Sequence, residues 1–340
     1  MNPIYTHPGQ YEMQAEVVLA SKGPDQKPIY TIRLRYPRII HGEVMTHRVF
    51  SRNARSSRAV PVKTMLNEVR NMPFIPWHWG KNQGGMQADE ECNEPVLVTN
   101  WLDIDFNGNP AKEKVVREEA WISAAECAAG HAQAYMEAGY HKQIPNRLLE
   151  PFSWIDTLIT STEWDNFLWL RDHRDAEPHF QDLARLVKLA IENATVLPIE
   201  PGEWHMPYID EEDRHKVEHE YNDGRTPASV MLCKISAARC ARISYKPFDG
   251  DSSYERELER YDSLVTADRV HASPLEHQAT PDQAVLISAD VFESENKSLS
   301  PDGFLEARQG YLHEGFHGNL TGYIQYRKTI PNEEKMEDVL

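Results

Sequence analysis

Thirteen consecutive residues, Thr46-His47-Arg48-Val49-Phe50-Ser51-Arg52-Asn53-Ala54-Arg55-Ser56-Ser57-Arg58, gather four arginines, a histidine, an asparagine and three serines. Guanidinium groups present planar forks of donors that match phosphate oxygens, and serine and asparagine add short neutral donors around them. Such a set suits a small phosphorylated ligand. The enrichment extends further: from Thr31 to Lys63, seven arginines, one lysine and two histidines stand against a single acid, Glu43. A solvated or ion-paired face would explain the cluster as well as a phosphate site would. There is no GxxxxGK[ST] loop and no GxGxxG after a strand, so neither the nucleotide-hydrolase cradle nor the dinucleotide turn accounts for it.

The 340 residues around this run are acidic, with 53 Asp and Glu against 36 Lys and Arg and a formal charge of -17. That balance argues against an extended nucleic-acid surface but leaves room for a local cationic pocket. No stretch reaches the length of a membrane span, and the N-terminus has neither the basic head nor the apolar core of an export signal, so a cytoplasmic protein with no membrane partner is expected. Cys92, Cys127, Cys233 and Cys240 lack paired spacing and read as thiols, which excludes a zinc ribbon.

The elements that must position the arginine run can be read from periodicity. Alternation predicts strands over 13–19 and 32–36, the second ending at Pro37. Residues 71–110, rich in Pro, Gly, Asn and Trp, read as a long irregular insertion. Helical spacing predicts a helix over 113–140 stopped by Gly139, another over 163–170, and a fresh start at Asp175-Ala176-Glu177-Pro178 with Phe180, Leu183, Ala184, Val187, Ala190 and Ile191 on its apolar face. Residues 196–226 are a charged, Pro-rich connection. Helical spacing returns over 232–245; Ser252 and Glu255 suggest a capping box for a helix over 253–267, and strands are expected at 284–287 and 321–327. The organisation expected is 1–195 carrying the arginine run, 196–230 as linker, and 231–340 packed into the same body.

Several segments resemble the flavin-dependent thymidylate synthases. Thr46-His47-Arg48, followed by Ser56 and Arg58, resembles that family's R-H-R, seven residues, Ser motif. Asn166-Phe167-Leu168-Trp169-Leu170-Arg171 is similar to its N-F-L-x-L-R segment, and Asp175-Ala176-Glu177 stands where the family has His-Ala-Gln. Two further segments, Ala237-Ala238-Arg239-Cys240-Ala241-Arg242-Ile243-Ser244-Tyr245 and His271-Ala272-Ser273-Pro274-Leu275-Glu276-His277, resemble A-x-R-x-A-R-V-S-F and H-x-T-P-F-E-H. In ordinary members those two precede the arginine motif, and here they follow it, which implies a circular permutation.

The resemblance implies an α/β (α+β) body of that family with permuted motif order and insertions. It implies transfer of a one-carbon unit from methylenetetrahydrofolate to C5 of a pyrimidine deoxynucleoside monophosphate, with FAD reduced by NADPH. His47, Arg48, Asn53, Asn166, Ser244 and His277 would then hold FAD, and Ser56, Arg58 and Arg171 would meet the nucleotide. Arg171 and Ser56 are the implied catalytic pair, Arg171 stabilising charge that grows on the ring. A homotetramer is the implied assembly. Thr46, Glu43, Ala54 and Thr157 depart from the family pattern. Methylation of dUMP to dTMP is the leading implication, and these departures leave open dCMP as substrate, hydroxymethyl as product, and a non-catalytic nucleotide-binding or flavin-binding protein.

His313-Glu314-Gly315-Phe316-His317 matches the HExxH of zinc hydrolases, but Gly310, Gly315 and Gly318 disfavour the helix that motif needs. His215 and His219, at ligand spacing in an acidic run, read as solvated. No metal is expected.

Overall fold

Both strands expected near the N-terminus form, in longer versions. β1 (Ile4–His7) turns back into β2 (Gln10–Lys22), and β2 pairs antiparallel with β3 (Ile29–Pro37), setting Ala15 opposite Leu34 and Val17 opposite Ile32. Met13, Ala15 and Val17 are buried while Gln14 and Glu16 between them are only half-buried, so a period of two puts one sheet face into the core. In this computed structural model, residues 2–220, 226–244, 253–265, 270–287, 308–331 and 333 are described.

After Pro37 a short helix, α1 (His41–Val44), and a turn lead into β4 (Ser51–Ala54). α2 (Val62–Asn71) buries Val62, Met65, Leu66 and Val69 at helical spacing. The insertion expected to be irregular over 71–110 instead contains a hairpin of β5 (Val96–Ile104) and β6 (Pro110–Val115). Asp105 organises its turn by accepting the N–H groups of Asn107 and Asn109, and Gly108 supplies the left-handed backbone at φ 81°. α3 (Arg117–Glu137) stops before Gly139, whose φ of 84° a helix cannot continue. α4 (Pro145–Leu149) packs with α2 and α3 around Val69, Ala125, Ala129 and Leu149.

β7 (Trp154–Ser161) carries no alternating pattern to predict it, because it lies between β3 and β4 and is buried on both faces. α5 (Trp164–Arg171) follows, then α6 (Pro178–Glu192), where the Glu177 carboxylate accepts the Phe180 N–H at 2.8 Å and Pro178 fills the first turn, as the sequence predicts. α6 packs Phe180, Leu183, Ala184, Val187 and Ala190 onto the apolar face of β1, β2 and β3.

The segment expected as a linker also holds structure. β8 (Leu197–Pro198) pairs in parallel with Ser21 and Lys22, and α7 (Glu211–Glu220) packs on α8 (Ala228–Ala241). α8, α9 (Tyr254–Val265) and neighbouring turns build a second core from Met206, Val217, Leu232, Ile235, Ala238, Tyr261 and Tyr326. Ser252 of the expected capping box lies outside the described residues. β9 (Ala279–Pro281) and β10 (Ala284–Ile287) pair with β12 (Tyr323–Gln325) and β11 (Arg308–Tyr311) respectively. This last part is tied to the first strands: Ile29 packs with Ala279, Leu320 and Tyr323, and the Tyr323 hydroxyl accepts the Gly23 N–H at 3.1 Å and donates to the Lys27 carbonyl at 2.7 Å. The result is a mixed α/β protein whose main sheet runs β1-β2-β3-β7-β4, with β8 beside β2. No described helix is long and apolar enough to cross a membrane.

Candidate functional site

The arginine run forms the turn before β4, β4 itself and the loop after it. Phe50 is buried against Trp164 and Phe167, and this packing pulls the turn onto α5. His47 is buried beside it, its ring 5.4 Å from Phe50, 5.1 Å from Phe167 and 6.2 Å from Phe180. Arg171, the last residue of α5, reaches back across the turn. Its Nε donates to His47 Nε2 at 2.9 Å, its Nη2 donates to Thr46 Oγ1 at 3.0 Å, and its guanidinium lies 4.9 Å from the centre of the Phe180 ring.

This geometry fixes the state of the imidazole. Nε2 accepts, so the neutral ring carries its proton on Nδ1. Burial, and then the positive charges of Arg171 and Arg52, push the His47 pKa down to about 4, so the ring is neutral near pH 7. Arg171 therefore meets two neutral acceptors, and no carboxylate pairs with its positive charge among the described residues. Arg52 shores up the same turn by donating to the carbonyls of Met45 at 2.8 Å and His47 at 3.2 Å.

Arg48, Ser56, Arg58 and Asn166 are all exposed. Ser56 Oγ accepts the Arg58 N–H at 3.3 Å, and Arg48 and Arg58 have no ion pair among the described residues. On α5, Asn166 is accompanied by Trp169, 75 % exposed, and Leu170, 40 % exposed, an uncovered apolar surface next to Arg171.

Asn53 and His277 lie on the other side of the sheet. Successive residues of a strand point to opposite faces, so Arg52 and Ala54 share the α6 side while Ser51 and Asn53 share the side covered by α8. Asn53 Nδ2 donates to the Cys240 carbonyl at 2.7 Å, and Ser51 Oγ donates to Asn319 Oδ1 at 2.9 Å. His277 is wholly buried, its Nδ1 2.8 Å from Thr160 Oγ1. Ser244 ends a short turn after α8, with its side chain outside what is described. The structure thus joins His47 to Arg171 with Arg48 and Asn166 exposed on the same turn and helix, leaves Ser56 and Arg58 exposed in the loop at the far end of β4, and sets Asn53 and His277 behind β4.

His205, Thr31 and Thr160 adjoin His277 and were invisible to pattern reasoning. His205 lies in the Pro-rich segment 196–226, where periodicity says nothing, yet it is fully buried with Nε2 2.8 Å from Thr31 Oγ1 and Nδ1 2.9 Å from Ser21 Oγ.

The HExxH segment is a turn, not a helix. His313 Nδ1 and His317 Nε2 both converge on the buried Asp282 carboxylate, at 2.9 and 3.0 Å. His215 and His219 stack on the exposed side of α7, 4.2 Å between ring centres. No group of three or more potential metal ligands occurs among the described residues. Cys233 and Cys240 are free and fully buried, and burial raises the pKa of both thiols far above the range in which a thiolate forms.

No model of a known protein family matches this chain, and no curated protein matches it. Among solved structures, two of the flavin dependent thymidylate synthase ThyX from Helicobacter pylori, each with FAD and dUMP, are similar to it. In both the identity is 16 % and the TM-score 0.30, over 48 % of this chain and 67 % of theirs, a partial and distant likeness to a ThyX-like fold.

Proposed function

We propose that the protein binds FAD and a pyrimidine deoxynucleoside monophosphate, and transfers a one-carbon unit from methylenetetrahydrofolate to the base, dUMP to dTMP being the leading case. The observation that carries this reading is the junction of Arg171 with His47 and Thr46. Two separate segments, each resembling a motif of the flavin-dependent thymidylate synthases, meet there side chain to side chain. A dinucleotide brings phosphates that need unpaired cations, and Arg48 and Arg58 are exposed with no ion pair among the described residues, so the residues fit the group. Bound FAD, reduced by NADPH, supplies the hydride. The chain's own part is to hold and orient: Arg48 and Arg58 on phosphates, Trp169 and Asn166 beside a ring, Ser56 at the nucleotide, and Arg171 against charge that develops on the pyrimidine.

The permuted motif order belongs to this proposal, and the packing of Ile29 on Ala279, just after His277, supports it. Assembly into a homo-oligomer is a further part, read by light scattering of the flavin-loaded protein. A second substrate, dCMP, is compatible with one feature. The Thr157 hydroxyl is 2.9 Å from that of Tyr36 and fully buried, and Ala54 packs on the core, so neither position offers a group that selects uracil.

The test supplies NADPH and methylenetetrahydrofolate with dUMP or dCMP and reads product mass. A gain of one methylene on dUMP is the expected outcome. Absence of FAD binding in calorimetry and in visible absorbance overturns the reading.

A further inference from the structure

Behind β4, five side chains form an unbroken buried line. Ser21 Oγ is 2.9 Å from His205 Nδ1, His205 Nε2 is 2.8 Å from Thr31 Oγ1, the Thr31 and Thr160 hydroxyls are 2.6 Å apart, and Thr160 Oγ1 is 2.8 Å from His277 Nδ1. At the far end, His277 Nε2 is buried and has no partner among the described residues. Three hydroxyls and two neutral imidazoles hold one such proton each, and those five protons serve the four links just described. One proton is left over, at either end of the line or on a Thr31 or Thr160 hydroxyl that accepts from both neighbours; the threonine placements leave that hydrogen and the His277 Nε2 lone pair both unmet.

The two ends are not equivalent. If the line runs from His277 toward Ser21, the spare proton is on Ser21 Oγ, which is 2 % exposed and has no acceptor for it among the described residues, while His277 Nε2 is a bare lone pair. Two polar functions are then unmet. If the line runs from Ser21 toward His277, every hydroxyl proton is used and only the Nε2–H of His277 remains. The second arrangement leaves one group unmet and is favoured, because each buried unpaired function costs free energy.

We propose that His277 is held as a neutral imidazole with its proton on Nε2, a donor for an uncharged acceptor, a carbonyl oxygen or ring nitrogen of a bound heterocycle, and that Ser21, His205, Thr31 and Thr160 are the positioning residues that fix this state. The choice of acceptor rests on the flavin and nucleotide reading above; the tautomer does not. A neutral donor at a fully buried position suits a neutral acceptor, whereas a phosphate would be stripped of water with no charge to meet it. The short turn Ser273–Glu276 before His277 packs against β4, so the spare donor lies behind the strand of the arginine run, on the face that carries Ser51 and Asn53. Burial holds the pKa of His277 down to about 3. His205, also held to about 3 by burial and then by His277, is the titratable group nearest along the line. Glu276 is turned toward Arg327 at 2.5 Å, and the buried thiol of Cys240 lies beyond Gln278.

The test uses the full chain with isotope-labelled histidine, reading tautomers by NMR with and without FAD or dUMP. Wild-type His277 and His205 are expected as Nε2–H tautomers that stay neutral between about pH 5 and 8. Thr31→Val, nearly isosteric, takes the acceptor from His205 and should move its proton to Nδ1, toward Ser21, while His277 begins to populate both tautomers; a merely structural threonine would leave both signals alone. FAD or dUMP should shift the His277 Nε2–H proton. His277→Ala should weaken binding of the ligand that causes the shift about tenfold, and His277→Gln, whose amide donor reaches a similar position, should recover most of that loss. A wild-type His277 with its proton on Nδ1, titration of that ring near its ordinary value, or Thr31→Val spectra identical to wild type would each overturn the proposal. If neither ligand binds at all, the functional reading falls, and an Nε2–H tautomer that responds to Thr31→Val still supports the line of positioning residues.

Discussion

Within one run of the chain, arginines of the same chemistry meet two fates. Arg33, Arg35, Arg38 and Arg55 are matched to carboxylates: Glu16 at 2.9 Å, Glu12 and Asp156 at 2.9 Å each, Glu150 at 3.5 Å, and Glu68 at 2.7 and 3.0 Å. Arg48 and Arg58 meet no carboxylate among the described residues, and Arg171, arriving from α5, meets only neutral acceptors. The matched group lies along β3 and the loops that carry β4 to α2 and α4, where it holds elements together. Arg48 and Arg171 stand at the turn that His47 anchors, and Arg58 stands exposed in the loop after β4, three residues from the matched Arg55. Charge counted along the sequence is therefore not charge available to a ligand, and an arginine of the matched group cannot attract a phosphate without first breaking an ion pair.

This contrast can be broken most directly at Arg171. Arg171→Ala should weaken FAD or nucleotide binding by about 100-fold, since an uncompensated guanidinium that meets a ligand is worth a few kcal/mol, and should also lower stability by about 1 kcal/mol, because the buried His47 Nε2 loses its donor. Equal affinity for wild type and variant in calorimetry would place Arg171 among the structural arginines. Arg55→Ala should do the opposite. Losing a half-buried two-point bond to Glu68 should cost about 2 kcal/mol of stability, read by denaturant unfolding, and leave ligand affinity of the folded protein unchanged.

Arg58→Ala should weaken the nucleotide about tenfold with no effect on unfolding, and Arg58→Lys should restore part of that loss, because a point charge replaces half of the fork. A loss of stability in Arg58→Ala would contradict its place in the unmatched group. The dependence on pH between 7 and 5 bears on stability alone, and His205 and His277, both held to about 3 by burial, act in the same direction as the histidines near the arginines. His47 has a folded pKa of about 4, below its ordinary value of 6.5, so the unfolded state takes up its proton first as pH falls. Its contribution to stability is complete above the ordinary value and is lost as pH falls through that value toward about 4. His41, held to about 4 by burial and then by Arg38 and Arg52, adds in the same direction. Melting temperature should fall steadily below pH 6.5, and a profile flat down to pH 5 would show that these rings are charged in the folded protein.

How much of this was legible in the sequence follows from where each element sits. β3 and α6 each have one buried face, so their periods of two and of 3.6 announce them, and Pro178 marks the start of α6. The pairing of His47 with Arg171 was legible only through resemblance, since no local pattern connects residues 124 positions apart. β7 escaped because a central strand buried on both sides has no alternation to show. The β5–β6 hairpin had an Asn-Gly signal at its tip, Asn107-Gly108, which the surrounding Pro and Gly obscured. His205 escaped for a different reason. Its burial comes from Thr31 and Ser21 on distant strands, and no feature of residues 196–210 encodes that.

The bonds from Tyr323 to Gly23 and Lys27 span almost the whole chain, with sequence separations of 300 and 296 residues. During synthesis, β1 to β7 and α6 emerge and can fold before the segment that covers the α8 side of the sheet has been made. What waits uncovered on that side is Thr31, Arg33, Arg35, Asp156 and Thr160 around the single apolar Leu158 of β7, a largely hydrophilic patch that ribosome-bound chains can expose with little tendency to stick to one another. Closure then depends on the last third of the polypeptide, so the folding rate should be set by the arrival of Tyr323 on β3 rather than by formation of the sheet.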